Sequence, residues 1–129
     1  MESDVLVVDD SAAIRKILQR VLRQTGMAIR TIHEAGDGQE ALALLRVNRV
    51  DLVLTDINMP KMDGLQLLES LKACPEWQDV PVVMITTEGG ETKVAEALRL
   101  GAAGYVRKPF TADQIKEKLV AILEPALRL

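Results

Sequence analysis

Four charged side chains stand just beyond apolar runs, at positions a folded chain can bring together. Asp9 and Asp10 follow Val5-Leu6-Val7-Val8, Asp56 follows Leu52-Val53-Leu54-Thr55, and Lys108 follows the weaker run from Gly104 to Arg107. Thr86 and Thr87 follow Val82-Val83-Met84-Ile85 in the same way. Three carboxylates drawn close repel one another, and ionising all of them is costly unless a cation neutralises them. A hard divalent cation with oxygen ligands meets that need. Mg²⁺ fits best, since it is held by one or two carboxylates while it keeps waters and a phosphate oxygen. Lys108 would then serve a second anion. Oxygen-only metal ligands, a carboxylate nucleophile and a cation for phosphate together read as phosphoryl transfer onto an aspartate.

This chemistry requires elements that carry all these residues to one edge. The runs ending in Asp9, Asp56 and Thr86 are apolar at every position, which suggests strands covered on both faces, as in a parallel sheet. Ile29 to His33 and Gly104 to Arg107 complete a set of five. Helices fit between them. Ile14, Ile17, Leu18, Val21 and Leu22 form a stripe facing a core, with Gly26 as a C-terminal stop. Asp37 with Glu40, Asp63 with Gln66, and Thr111 with Gln114 have capping-box spacing and mark three helix starts. Gly101 closes the helix holding Val94, Ala97 and Leu98. Ile115, Leu119 and Ile122 line the last helix, which Pro125 ends. The pattern is (βα)5, an α/β doubly wound parallel sheet. In such a sheet ligands bind outside the carboxyl ends of the strands, where the charged residues cluster.

The 129 residues make one domain, 1–129, with a core over about 5–123. Apolar residues are 48% and aromatics only 2%, so the core is aliphatic and disorder is excluded. A net charge of -3 argues against a nucleic-acid-binding surface. The one cysteine, Cys74, excludes an internal disulfide or a multi-thiolate metal site. With no basic region at Met1-Glu2-Ser3-Asp4, it fits a reducing cytoplasm. No apolar run approaches a membrane span.

The chain resembles the receiver domains of response regulators, in particular the CheY-like, chemotaxis-type single-domain members. The matching stretches are Val7 to Ser11, Leu54 to Gly64, Pro81 to Thr86, and Gly101 to Phe110; the likeness runs from about Val5 to about Leu123. It implies a CheY-like (flavodoxin-like) five-stranded sheet in the order 2-1-3-4-5, with Asp56 as phosphoacceptor. It implies Mg²⁺ bound by Asp10, Asp56 and the backbone carbonyl of Asn58, with Asp9 acting through water. Lys108 would pair with the phosphoryl group, Thr86 would hydrogen-bond it, and Tyr105 would be an aromatic switch. Asn58 and Glu88, two residues beyond Asp56 and Thr86, would tune attack of water on the acyl phosphate. The Lys108-Pro109 bond would be cis. The implied partners are a sensor histidine kinase as phosphodonor and an output protein, the flagellar motor switch in chemotaxis. The output protein would read the face of helix 4, strand 5 and helix 5 of a monomer that neither binds nucleic acid nor enters membrane. Ile57 stands where the best-known family member has an aromatic residue.

Other readings of these residues carry weight. Asp9-Asp10 read alone is a helix cap, and Lys108-Pro109 alone a turn. Thr86-Thr87 reads as ordinary β-propensity, with Thr86 favoured for standing 30 residues after Asp56, as in the family. Tyr105 is either a switch or a packing residue. His33 lies away from the strand ends, Cys74 reads as a small hydrophobe, and Trp77 as a packing residue far from the site. Gly89-Gly90 reads as a hinge. A haloacid-dehalogenase-type phosphatase would need a second aspartate where Asn58 stands, and a nucleotide- or flavin-binding module would need a glycine-rich loop in place of Asp9-Asp10-Ser11. Within the family, a stand-alone phosphorelay receiver or a receiver cut from a longer regulator ending at Leu129 is the alternative to chemotaxis.

Overall fold

The computed structural model describes residues 2–87 and 91–123. The element order is β1 (Ser3–Val8), α1 (Ala12–Gln24), β2 (Ile29–Ala35), α2 (Gly38–Val47), β3 (Leu52–Asp56), α3 (Gly64–Lys72), β4 (Val82–Thr86), α4 (Glu91–Arg99), β5 (Gly104–Arg107) and α5 (Ala112–Leu123). The strands form one parallel sheet in the order β2-β1-β3-β4-β5, the doubly wound arrangement anticipated.

Strand alternation sorts the apolar side chains between two layers. Leu6, Val8, Val53, Val82 and Met84 face α2, α3 and α4, where they meet Ala41, Leu45, Leu67, Leu68, Leu71, Val94 and Ala97. Val5, Val7, Leu52, Leu54, Val83, Ile85 and Val106 face α1 and α5, against Leu18, Leu22, Ile115 and Leu119. Both faces are covered, which is why the central strands are apolar at every position.

Local chemistry sets the helix ends. Asp63 accepts from Gln66 N at 2.9 Å, and the Gln66 side chain accepts from Asp63 N at 3.0 Å. Thr111 and Gln114 make the same reciprocal pair. Asp37 accepts from Glu40 N, but the Glu40 carboxylate turns back to Gly36 N at 3.2 Å and leaves the box half made. Gly101, at φ 109°, ends α4 through bonds from its own N–H to Leu98 and from Ala102 N–H to Ala97. Gly26 sits just past α1 at φ 75°.

The apolar stripes are narrower than their spacing suggests. Ile17 and Leu98 are each 45% exposed, because Leu18, Val21 and Leu22 on α1, and Val94 and Ala97 on α4, already fill the contact with the sheet. β2 runs two residues beyond His33, since its pairing with β1 continues to Val8 opposite Ala35. His33 and Cys74 are half-buried, and Trp77 packs on the α2–α3–α4 layer. Glu88, Gly89-Gly90, Pro125 and Leu129 lie outside the described residues. No helix among those described is long and apolar enough to cross a membrane.

Candidate functional site

β1 and β3 are neighbours whose crossovers run to opposite sides of the sheet, so their carboxyl ends open onto a crevice. Asp9 lies at the first of these ends and is buried. Its Oδ1 accepts from Ser11 N at 2.8 Å, and its backbone carbonyl accepts from Arg15 Nη1 at 2.6 Å. The α1 cap is Ser11, whose Oγ accepts from Ile14 N at 3.2 Å. Neither aspartate is therefore spent on the helix, and Asp10 stays exposed.

Asp56 ends β3, with its side chain 15% exposed and Oδ1 accepting from Ile57 N at 2.8 Å. Lys108 follows β5 and reaches across the end of β4. Its Nζ lies 3.3 Å from Asp9 Oδ2 and 3.8 Å from Asp56 Oδ1. Its backbone N–H donates to Thr86 O at 2.6 Å, and the Lys108-Pro109 bond is cis. Burial pushes the Asp56 carboxyl above its ordinary value; Lys108 pulls it down, while Asp9 and Asp10 push it up again. Asp9, Asp10 and Asp56 each offer a carboxylate oxygen, all within 4.8 Å of one another. An oxygen-only donor set of this charge fits a hard divalent cation such as Mg²⁺.

The other anticipated residues surround this group. Thr86 is buried at the end of β4, and its hydroxyl donates to Thr87 O at 3.2 Å. Tyr105 is half-buried on β5, opposite Met84; it packs on the α2–α3–α4 layer with Lys118 Nζ 5.4 Å from the ring centroid. Asn58 is exposed on the β3–α3 loop, and its Oδ1 accepts from Lys93 Nζ of α4 at 2.5 Å.

Three contributors were not singled out from sequence. Arg15 clamps the Asp9 backbone and pairs with Glu34 at 3.1 Å. Lys93 engages Asn58. Gly64 opens α3 directly against the Asp56 backbone: a β-carbon there would stand 2.3 Å from Asp56 O and 2.9 Å from Ile57 Cα. Gly64 N–H also donates to Ile57 O at 2.8 Å. A glycine directly after the capping residue Asp63 is the sequence signal that was available for it. The loop between is tight as well, with Lys61 at φ 64° and Met62 N–H bonded to Pro60 O at 2.7 Å.

A five-stranded parallel sheet with three carboxylates and a lysine at its carboxyl edge defines a CheY-like α/β protein. The chain belongs to the response regulator receiver domain family, whose sequence profile matches residues 5–120. It is 42% identical over 120 residues to chemotaxis protein CheY-3 of Vibrio cholerae, covering 93% of this chain and 91% of that protein. A chemotaxis protein CheY homolog of Campylobacter jejuni shows the same identity, over 92% and 91% of the two chains. Among solved structures, the chemotaxis response regulator CheY4 of Vibrio cholerae superposes with a TM-score of 0.84 at 32% identity, over 95% of this chain and 100% of that one. The receiver domain of NtrX from Brucella abortus gives 0.82 at 35%, over 95% and 99%. Family membership places the chain among two-component signalling proteins rather than classical enzymes.

Proposed function

We propose that Asp56 is the phosphoacceptor of a two-component pathway, with a sensor histidine kinase as donor. One Asp56 carboxylate oxygen bonds to phosphorus as the N–P bond of the donor phosphohistidine breaks, and the imidazole leaves with its electron pair. The chain catalyses its own phosphorylation and dephosphorylation. The observation that carries this reading is the meeting of Asp56, Asp9, Asp10 and Lys108 at one crevice, from three strand ends. Asp10, Asp56 and the Asn58 backbone carbonyl would hold Mg²⁺, with Asp9 helping through water; when bound, the ion offsets the negative charge of the carboxylates and phosphoryl oxygens. Lys108 binds the phosphoryl group as a point cation. Thr86 exchanges its bond to Thr87 O for a phosphoryl oxygen. Asn58 and Glu88 tune hydrolysis.

Output follows from that exchange. Moving Thr86 and Lys108 toward a new dianion biases two packings of α4, β5 and α5, with Tyr105 as the switch between them. Inverting such an equilibrium takes roughly 5 kcal/mol of differential interaction. Charge-assisted hydrogen bonds at about 1.5–3 kcal/mol each supply it. A cavity of about 430 Å³ lined by Tyr105, Pro109, Gln114 and Lys118 lies on this face and suits a protein partner. The names of the relatives favour chemotaxis, and in that pathway the partner would be a flagellar motor switch. The reading includes a cytoplasmic monomer without membrane insertion, and the net charge of -3 argues against a nucleic-acid partner. One observation favours a second reading, a receiver within a longer regulator: the chain matches a full NtrX structure over only 28% of that protein's length.

Incubation with acetyl phosphate and Mg²⁺ followed by intact-mass measurement tests the proposal. One phosphoryl group is gained by the wild type and none by Asp56→Asn or after chelation. An unmodified wild type, under conditions that label a control receiver, would refute it.

A further inference from the structure

We infer that Lys93 on α4 is a positioning residue that fixes which end of the Asn58 side-chain amide is turned outward, and thereby protects a phosphorylated Asp56 from water. The inference rests on the phosphoacceptor reading and deepens it. Its starting point is the bond from Lys93 Nζ to Asn58 Oδ1 at 2.5 Å, which joins α4 to the loop carrying Asn58, two residues beyond Asp56. Among the described residues Lys93 makes no ion pair, so this amide is its partner.

An amide has two chemically opposite ends, and an ammonium group can address only one of them. Lys offers three donors and no acceptor, so it selects the carbonyl oxygen. While Oδ1 is turned toward Lys93, the group turned the other way is the Nδ2 amide NH2, which only donates. This matters for hydrolysis of the acyl phosphate. In that step a water oxygen bonds to phosphorus, the bond from phosphorus to the Asp56 oxygen breaks, the carboxylate is regenerated, orthophosphate leaves, and the water's proton passes to solvent. A nearby acceptor speeds the step by holding the water through its hydrogen and aiming its lone pair. The Asn58 side-chain carbonyl would be that acceptor. Lys93 occupies it.

The bond also sits at a junction. α4 follows the connection from Thr86, so a cation on its first turns that grips the Asp56 loop ties the lifetime of the signal to where α4 lies. The contact is exposed and of little weight for stability. Substitutions at Lys93 therefore leave the fold intact and report on chemistry.

The test uses the full chain, with acetyl phosphate and Mg²⁺ as the probe, followed by rapid removal of the donor. Loss of the added mass is then followed in time. Lys93→Ala shortens the phosphoryl lifetime by roughly threefold to tenfold, what one hydrogen bond is worth in rate. Lys93→Arg, still a donor only, stays within about twofold of wild type. Lys93→Glu, an acceptor that would draw Nδ2 inward and turn the carbonyl out, shortens the lifetime at least as much as the alanine. In an Asn58→Ala background the same three substitutions differ by less than about twofold, since the amide they orient is gone. Nitrogen-resolved NMR of the unphosphorylated protein gives a second readout: the Asn58 side-chain amide resonances shift in Lys93→Ala and not in Lys93→Arg. An unchanged lifetime in Lys93→Ala, or an effect that persists undiminished without Asn58, overturns the inference. If the wild type never labels, the phosphoacceptor reading falls, and the amide resonances alone decide whether Lys93 orients Asn58.

Discussion

The backbone oxygen of Asp56 lies 2.3 Å from the place a β-carbon on Gly64 would occupy. The first turn of α3 is thus built against the peptide that carries the candidate phosphoacceptor, and nothing there can yield except backbone. Gly64→Ala is expected to destabilise the fold by about 1–3 kcal/mol, the usual range for overpacking a tight contact. It should also reduce acetyl-phosphate labelling more than the lost stability accounts for, because relief of the clash moves Asp56 away from Lys108. Denaturant unfolding and mass labelling of the folded fraction measure the two effects separately. A variant that unfolds more easily but labels normally when folded would show that the contact serves packing alone.

Asp56 itself is held at a cost to the folded state. Burial raises its pKa, and Lys108 does not fully offset burial and the neighbouring aspartates. A carboxyl whose folded value lies above its unfolded one weakens the fold when ionised, and the penalty disappears as pH falls through the folded pKa. Metal-free Asp56→Asn is therefore expected to melt above wild type at neutral pH, with the gap closing as the pH is lowered toward 4. Added Mg²⁺ should raise the wild-type melting temperature and leave the variant's unchanged. Equal melting temperatures for the two metal-free proteins would mean that the charge is already neutralised.

The fold was legible because its strands are apolar throughout and its helices carry caps. Asp63 with Gln66 and Thr111 with Gln114 close where their spacing says they do. The carboxylate cluster was legible because a strand end is a fixed place in a parallel sheet, so Asp9, Asp56 and Lys108 needed only their positions in the chain. The remainder depends on distances that spacing does not encode. Whether Ile17 or Val21 reaches the sheet depends on helix rotation, and Ile17 stays largely exposed. Lys93 meets Asn58 from 35 residues away, through a side chain whose reach no periodicity reveals. Gly64 reads as a helix start until the Asp56 backbone is seen against it.

At the opposite end of the sheet, Asp4 is buried and receives both Nε and Nη2 of Arg30, the former at 3.0 Å. These bonds hold its carboxyl below the ordinary value of 3.8. A depressed carboxyl contributes stability that is present above its unfolded pKa and lost as the pH falls through the folded one. Arg30→Met should thus lower the melting temperature at pH 7, and the difference from wild type should shrink as the pH drops below about 4. Parallel melting curves across that range would indicate that Arg30 contributes only by packing its stem.

Lys108 separates structure from signalling. Its ammonium is 3.3 Å from Asp9 Oδ2, and the Asp9 side chain is 2% exposed, so removing the cation leaves a buried carboxylate with the Ser11 N–H as its bonded partner. Breaking a buried pair costs about 3–5 kcal/mol; with Lys108 partly open to solvent, Lys108→Ala is expected to lose about 1–3 kcal/mol in metal-free buffer. Mg²⁺ should restore much of that loss, since a divalent cation among Asp9, Asp10 and Asp56 replaces the missing charge. Phosphoryl acceptance should survive at least in part, because the Asp56 oxygens that attack phosphorus are still present. Transmission should not survive, because the group that would draw β5 toward the phosphoryl dianion is gone. Calorimetry with and without Mg²⁺, mass labelling, and partner binding by the labelled protein resolve the three effects. Normal partner binding by phosphorylated Lys108→Ala would assign the pull to Thr86 alone and reduce Lys108 to a counter-ion for Asp9.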